Sequence, residues 1–167
     1  ICETTPFCCF ESTLYSSDFE AGIFDWFESS SEPAVMWQTT TTQAFSDNQS
    51  VWFGNLITGN YEGQGATSGQ LTSPEVTLPT NFVDGGHLEV AFQLFLETEW
   101  SGVTYDNPAG LDRLQLFIVN DKEKEIELWS SDLIGGTTGN SWLPITLDVT
   151  KWAGKSVRLR FKFDTVD

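Results

Sequence analysis

The chain has 167 residues, 40% hydrophobic and 14% aromatic, with seven Trp and thirteen Phe. That is enough apolar material for one packed domain, and it excludes a disordered chain. Eight Lys and Arg stand against twenty-four Asp and Glu, a net charge of −16 that makes nucleic acid and anionic membrane poor partners, and no apolar run reaches the roughly 20 residues of a membrane helix.

Residues 1–14 form the one separable segment. Their Cys2, Cys8 and Cys9 lack the spacing of a zinc site and have no His nearby. They read as the tail of a disulfide-linked stretch whose other cysteines lie upstream, in an oxidising compartment. The sequence starts at Ile1 without a signal peptide and ends in a strand pattern with no closing element. Both features fit a processed product, a fragment or an expressed domain of a longer protein.

Asp18-Phe19-Glu20 comes next. Read as a strand, it projects both carboxylates to one side. Paired carboxylates repel unless a cation lies between them, and calcium, which takes about six to eight oxygens, suits such a pair completed by loop carbonyls. Asp47, in the turn at 46–49, and Asp112, at the head of a later strand, are the other candidate ligands. The competing reading makes Asp18 and Asp47 turn and cap residues with local hydrogen bonds.

Strand patterns then follow one another: residues 35–42, 49–54, and 69–74, the last stopped by Pro74. Residues 87–97 alternate, with Leu88, Val90, Phe92, Leu94 and Leu96 on one side. Residues 114–119 are nearly all apolar, as in a strand covered on both faces. Residues 125–129, 142–148 and 157–163 complete the series, and in the last Arg158, Arg160 and Lys162 face away from Val157, Leu159, Phe161 and Phe163. Residues 148–155 predict one helical turn. Short strands with turn signals between them predict an all-β fold, an antiparallel two-sheet jelly-roll sandwich.

Catalysis has little to rest on. His87 is the lone His, and the G-x-S-x-G elbow is absent. Glu97 and Glu99 form a same-face acid pair that a concanavalin-like glycosidase could use. A retaining hydrolase, however, needs carboxyls ~5 Å apart on opposite sides of the sugar, and neighbours on one strand face do not supply that. No catalytic residue is therefore expected. Seven Trp offer sugar-stacking faces. Trp52, Trp129 and Trp142 are expected in the core, and Trp100 and Tyr105, in the loop 99–111, are the candidate ligand-binding residues.

The order of motifs resembles a known family. Ser17-Asp-Phe-Glu20, Gly22, Trp26, Ser50-Val-Trp-Phe-Gly54 and the run from Gly65 to Pro74 precede the strand at Leu88. The strand opened by Asp112, then Trp129, Trp142 and the stretch from Leu147 to Phe163, follow it. Over residues 15–167 this series resembles the MAM domain, above all the MAM-like modules on immune-inhibitor-A type metallopeptidases and other exported bacterial proteins. The terminal Gly-Trp-x-x-Asp-Asp strand usual there is missing, which leaves an edge open to strand addition from another chain, and residues 10–167 contain no Cys. The resemblance implies a jelly roll with a cation near the acids matching Asp18 and Glu20. It implies adhesion, surface attachment or domain spacing, with a neighbouring domain, another protein or a surface glycan as partner. The alternative is a carbohydrate-binding module of a secreted hydrolase.

Overall fold

A computed structural model describes residues 11–63, 65–81, 86–98 and 112–165. Ten strands follow in chain order: β1 (Phe27–Ser30), β2 (Met36–Thr40), β3 (Ser50–Gly54), β4 (Ser68–Thr72), β5 (Val76–Thr77), β6 (Glu89–Leu94), β7 (Arg113–Asn120), β8 (Glu125–Ser130), β9 (Leu143–Asp148) and β10 (Ser156–Asp164). All pairings are antiparallel. β1, β4, β10, β7 and β8 lie side by side in a six-stranded sheet, in which β5 also pairs with β10. Two ribbons, β2–β3 and β6–β9, form the facing layer. The chain is an all-β antiparallel sandwich. The helical turn expected at 148–155 is a 3₁₀ turn, Thr150–Trp152.

Period-two alternation drives the layering. Leu114, Leu116 and Ile118 of β7, with Leu71 of β4 and Phe163 of β10, are at most 4% exposed. All but Ile118 meet Trp37 and Phe53 from one ribbon and Leu94 from the other. A second cluster joins Leu78, Ile118, Val149, Trp152 and Val157. The rings interlock at Phe161, which touches Trp26, Trp37 and Phe92 at centroid distances of 6.4, 6.5 and 5.3 Å. β10 lies in the middle of its sheet, between β4 and β7. β4 ends at Thr72, so Pro74 falls outside its ladder.

Among the described residues no second layer covers the apolar run in β7 on its outer side. Phe117 lies under the Lys162 ammonium, 5.0 Å from the ring centroid, and Val119, fully buried, sits in register between Arg158 and Glu125. Long charged stems laid over apolar side chains do here what a layer would do elsewhere. Their heads pair on the surface: Arg160 Nη1 and Lys162 Nζ each lie 2.6 Å from a Glu125 oxygen, Arg113 Nη2 lies 2.6 Å from Asp132, and Arg158 meets Glu123. Burial opposes ionisation of Glu125, yet the hydrogen bonds from Lys162 and Arg160 outweigh it and hold the carboxyl below its usual range.

β1 turns a charge inward. Its Glu28 is in register with the fully buried Leu71, and burial raises its pKa, partly offset by the Trp37 backbone N–H. Glu28 Oε1 and the indole nitrogens of Trp26 and Trp37 are buried without a hydrogen-bond partner. β1 is also the end strand of its sheet among the described residues, and an inward charge discourages a further strand from pairing there.

Candidate functional site

The β6–β9 ladder ends with Leu94 opposite Leu143. One step further the chains still face each other, and Phe95 meets Trp142 at 5.6 Å with ring planes 58° apart. Leu94 and Leu96 point inward at 8% and 7% exposure, so Gln93, Phe95 and Glu97 point out together. Phe45, from the loop joining β2 to β3, packs edge-on against Trp142 at 5.8 Å and 70°, and remains 56% exposed. Three aromatic side chains from two ribbons thus meet at one solvent-facing corner.

Each arm of the corner is held by a carboxylate. Glu97 Oε1 accepts the backbone N–H of Asn140 at 2.7 Å, and Thr137 Oγ1 donates to Glu97 at 3.1 Å. The backbone bond from Thr138 N to Leu96 O, 2.8 Å, fastens the same turn. Gly139 and Asn140 both take left-handed conformations, φ 65° and 58°, and deliver the chain to Trp142. Gly and Asn are the residues that tolerate this.

On the loop that carries Phe45, Glu20 Oε1 accepts the N–H groups of Asn48 and Gln49 at 2.9 and 2.7 Å, and Gln49 Nε2 donates to Glu20 O at 3.2 Å. Ser50 Oγ closes the loop onto Gln43 O at 2.5 Å. The Glu20 carboxylate therefore anchors the loop that carries Phe45.

Asp18 and Glu20 do not share a strand face. Phe19 between them is left-handed at φ 62°, Asp18 Oδ1 accepts the Glu20 N–H at 3.0 Å, and Gly22 N closes the turn on Phe19 O at 2.9 Å. Alternation fails because the segment is an Asx-type turn. Asp47 lies in the loop that Glu20 anchors, with φ 51°. Asp112 is buried at the head of β7, next to Arg113, the register partner of Asp164. Among the described residues no three of His, Cys, Asp and Glu converge to hold a metal ion. A calcium at the Asp18–Glu20 turn would thus draw most of its shell from carbonyl and water oxygens.

Other expected sites resolve differently. Trp129 is core, as expected, but Trp52 and Trp142 are only half-buried. The Trp52 ring lies so close over Gly54 that a Cβ there would meet it at 2.1 Å. Trp142 stands just before β9, where the inward alternation has not yet begun. Glu97 is a structural acceptor, and His87 pairs with Glu89 at 2.8 Å before β6 begins, about 30 Å from Glu97 along extended chain. Trp100, Tyr105, Glu99 and the three cysteines lie outside the described residues.

The chain matches no family model and no curated protein sequence. Among solved structures it is similar to one described under "Structural basis for the promiscuous specificity of the carbohydrate-binding modules from the beta-sandwich super family", with 15% identity and a TM-score of 0.55. The similarity covers 90% of this chain and 54% of that one, so the chain spans about half the length of its structural neighbour. At that identity the likeness shows a shared architecture, the β-sandwich.

Proposed function

We propose that the chain is a non-catalytic binding module of an exported protein, and that it recognises carbohydrate at the Phe45–Trp142–Phe95 corner. One observation carries the proposal: half-exposed and exposed rings, projected from two ribbons, are fixed from behind by Glu97 and Glu20. Aromatic faces stack on the C–H faces of sugar rings, and side chains fixed before binding lose little entropy when a ligand arrives. Exposed Gln93, Glu97 and Asn140, each two residues from Phe95 or Trp142, carry amide and carboxylate groups of the kind sugar hydroxyls pair with. The sandwich architecture shared with carbohydrate-binding modules supports this reading, and the MAM-like order of motifs supports an exported adhesion or spacer role for the parent chain. Calcium at the Asp18–Glu20 turn would brace the loop under Phe45; its role is structural.

The test is a titration of the protein with a panel of soluble and insoluble polysaccharides, followed by tryptophan fluorescence and sedimentation. Saturable binding that Trp142→Ala removes supports the proposal. Failure of every glycan to bind, or full binding by the variant, overturns it.

A further inference from the structure

Resting on that carbohydrate reading, we propose that the corner takes a short stretch of a single, soluble, uncharged glycan chain. It takes neither a crystalline polysaccharide surface nor a polyanionic glycan. Two independent observations lead there.

The first is the set of ring planes. A flat crystalline face is met by aromatic rings that lie in one plane. Here Phe95 and Phe45 are tilted by 58° and 70° from the Trp142 plane, at 5.6 and 5.8 Å. If Trp142 lies against a flat surface, the two Phe rings stand across it and hold the surface off. A single chain has its own curvature, and one of its sugar rings can lie on the indole while a neighbouring C–H edge meets a phenyl ring.

The second is charge. Arg113, Arg158, Arg160 and Lys162 stand on the outer face of the six-stranded sheet, already paired with Asp132, Glu123 and Glu125. Lys122 and Lys124 lie in the β7–β8 turn, Lys151 in the 3₁₀ turn after β9, and Lys155 just past it. None of the eight Lys and Arg lies in the loop 41–49, the segment 93–98 or the turn 137–142 that build the corner. The corner instead contains Glu97, in a chain of net charge −16. A uronate or a sulfate ester brought there finds no Lys or Arg on these segments to replace its hydration, and it meets Glu97 in a chain of net negative charge. A neutral sugar loses nothing to either effect, and its hydroxyls can donate to Glu97 and to the Gln93 and Asn140 amides.

The experiment uses the whole chain and four kinds of probe: neutral oligosaccharides (cello-, xylo- and manno-), polygalacturonate, a sulfated galactan, and microcrystalline cellulose. The expected result is saturable binding of at least one neutral oligosaccharide, little changed by salt. Phe45→Ala and Trp142→Ala should each weaken it roughly tenfold or more, with the circular dichroism of the β-fold intact. Phe45 sits on an exposed loop, so its variant reports on binding even if the Trp142 variant folds poorly. Binding of polygalacturonate or the sulfated galactan with neutral chains ignored, or retention on microcrystalline cellulose alone, overturns this inference while leaving the carbohydrate reading in place. Silence of all four probes overturns both.

Discussion

The Asn140 backbone N–H points at Glu97 Oε1 across 2.7 Å, and this bond, with those from Thr137 Oγ1 to Glu97 and from Thr138 N to Leu96 O, ties the turn that carries Trp142 to the segment leaving β6. It makes Glu97 a positioning residue for an aromatic ring, although its sequence context suggested an acid at a strand end. Glu97→Gln removes the charge and keeps the size. The turn should loosen, with faster hydrogen exchange at Asn140, and glycan affinity should fall by about 1–2 kcal/mol, because hydrogen bonds to a charged acceptor are worth that much. Unchanged exchange at Asn140 would remove the positioning role.

Glu20 does the same service for the loop that carries Phe45, through two backbone N–H groups. Glu20→Ala hands both amides over to water and should lower stability by about 1 kcal/mol, the net worth of such hydrogen bonds at a surface. If calcium occupies the adjoining turn, a chelator should lower the melting temperature of the native chain and have less effect on the Glu20→Ala and Asp18→Ala variants. A melting temperature indifferent to chelator in all three proteins would leave Glu20 as a hydrogen-bonding staple alone.

Two glutamates should respond to pH in opposite directions. The folded-state pKa of Glu28 is raised by burial, so its ionised form costs stability at neutral pH. Glu28→Gln should be more stable than the native chain at pH 7, by about 1 kcal/mol. That gain should shrink as pH falls through the raised folded value, where the native carboxyl takes up its proton. Glu125 is held low by Lys162 and Arg160, so its contribution is complete above the ordinary glutamate range and is lost as pH falls through the depressed folded value. Glu125→Gln should cost about 1–2 kcal/mol at pH 7, with the deficit closing only in strong acid. Urea melts at several pH values separate the two windows; a parallel response of both variants contradicts the assignments.

Gly69 and Gly54 each lie under an aromatic ring, with different consequences. A Cβ on Gly69 would stand 2.2 Å from the Phe53 ring, which is 5% exposed and wedged against Trp37 and Phe163. Gly69→Ala should therefore cost about 1–3 kcal/mol by overpacking. On Gly54 the obstacle is Trp52, half-exposed and able to swing outward. Gly54→Ala should cost clearly less and should shift the tryptophan emission to the red. Thermal melts rank the two, and the reverse ranking contradicts this packing.

Most strands are legible in the sequence because a two-residue period survives wherever one face meets the core. β10 and β6 are the clearest cases, with Val157, Leu159, Phe161 and Phe163, and Val90, Phe92 and Leu94, all turned inward. β1 escapes the same logic because Glu28 occupies an inward position. β5 is a two-residue strand, too short to show a period. At the candidate site, Phe95 carries a readable signal: an aromatic residue out of phase with Leu94 and Leu96 must face outward. Phe45 and Trp142 carry none, since their meeting depends on a loop and a turn far apart in the chain. The Asp18–Glu20 turn is hidden by Phe19, whose left-handed conformation no residue type at that position announces.

The two ribbons of the facing layer share no backbone hydrogen bonds among the described residues, and Phe45 belongs to one while Phe95 and Trp142 belong to the other. At this corner the Phe45 and Trp142 rings bring the halves into contact. A sugar seated across those rings therefore acts as a clasp, so that occupancy and the rigidity of the whole layer rise together. A module built this way would hold a short soluble chain more firmly as that chain stiffens it.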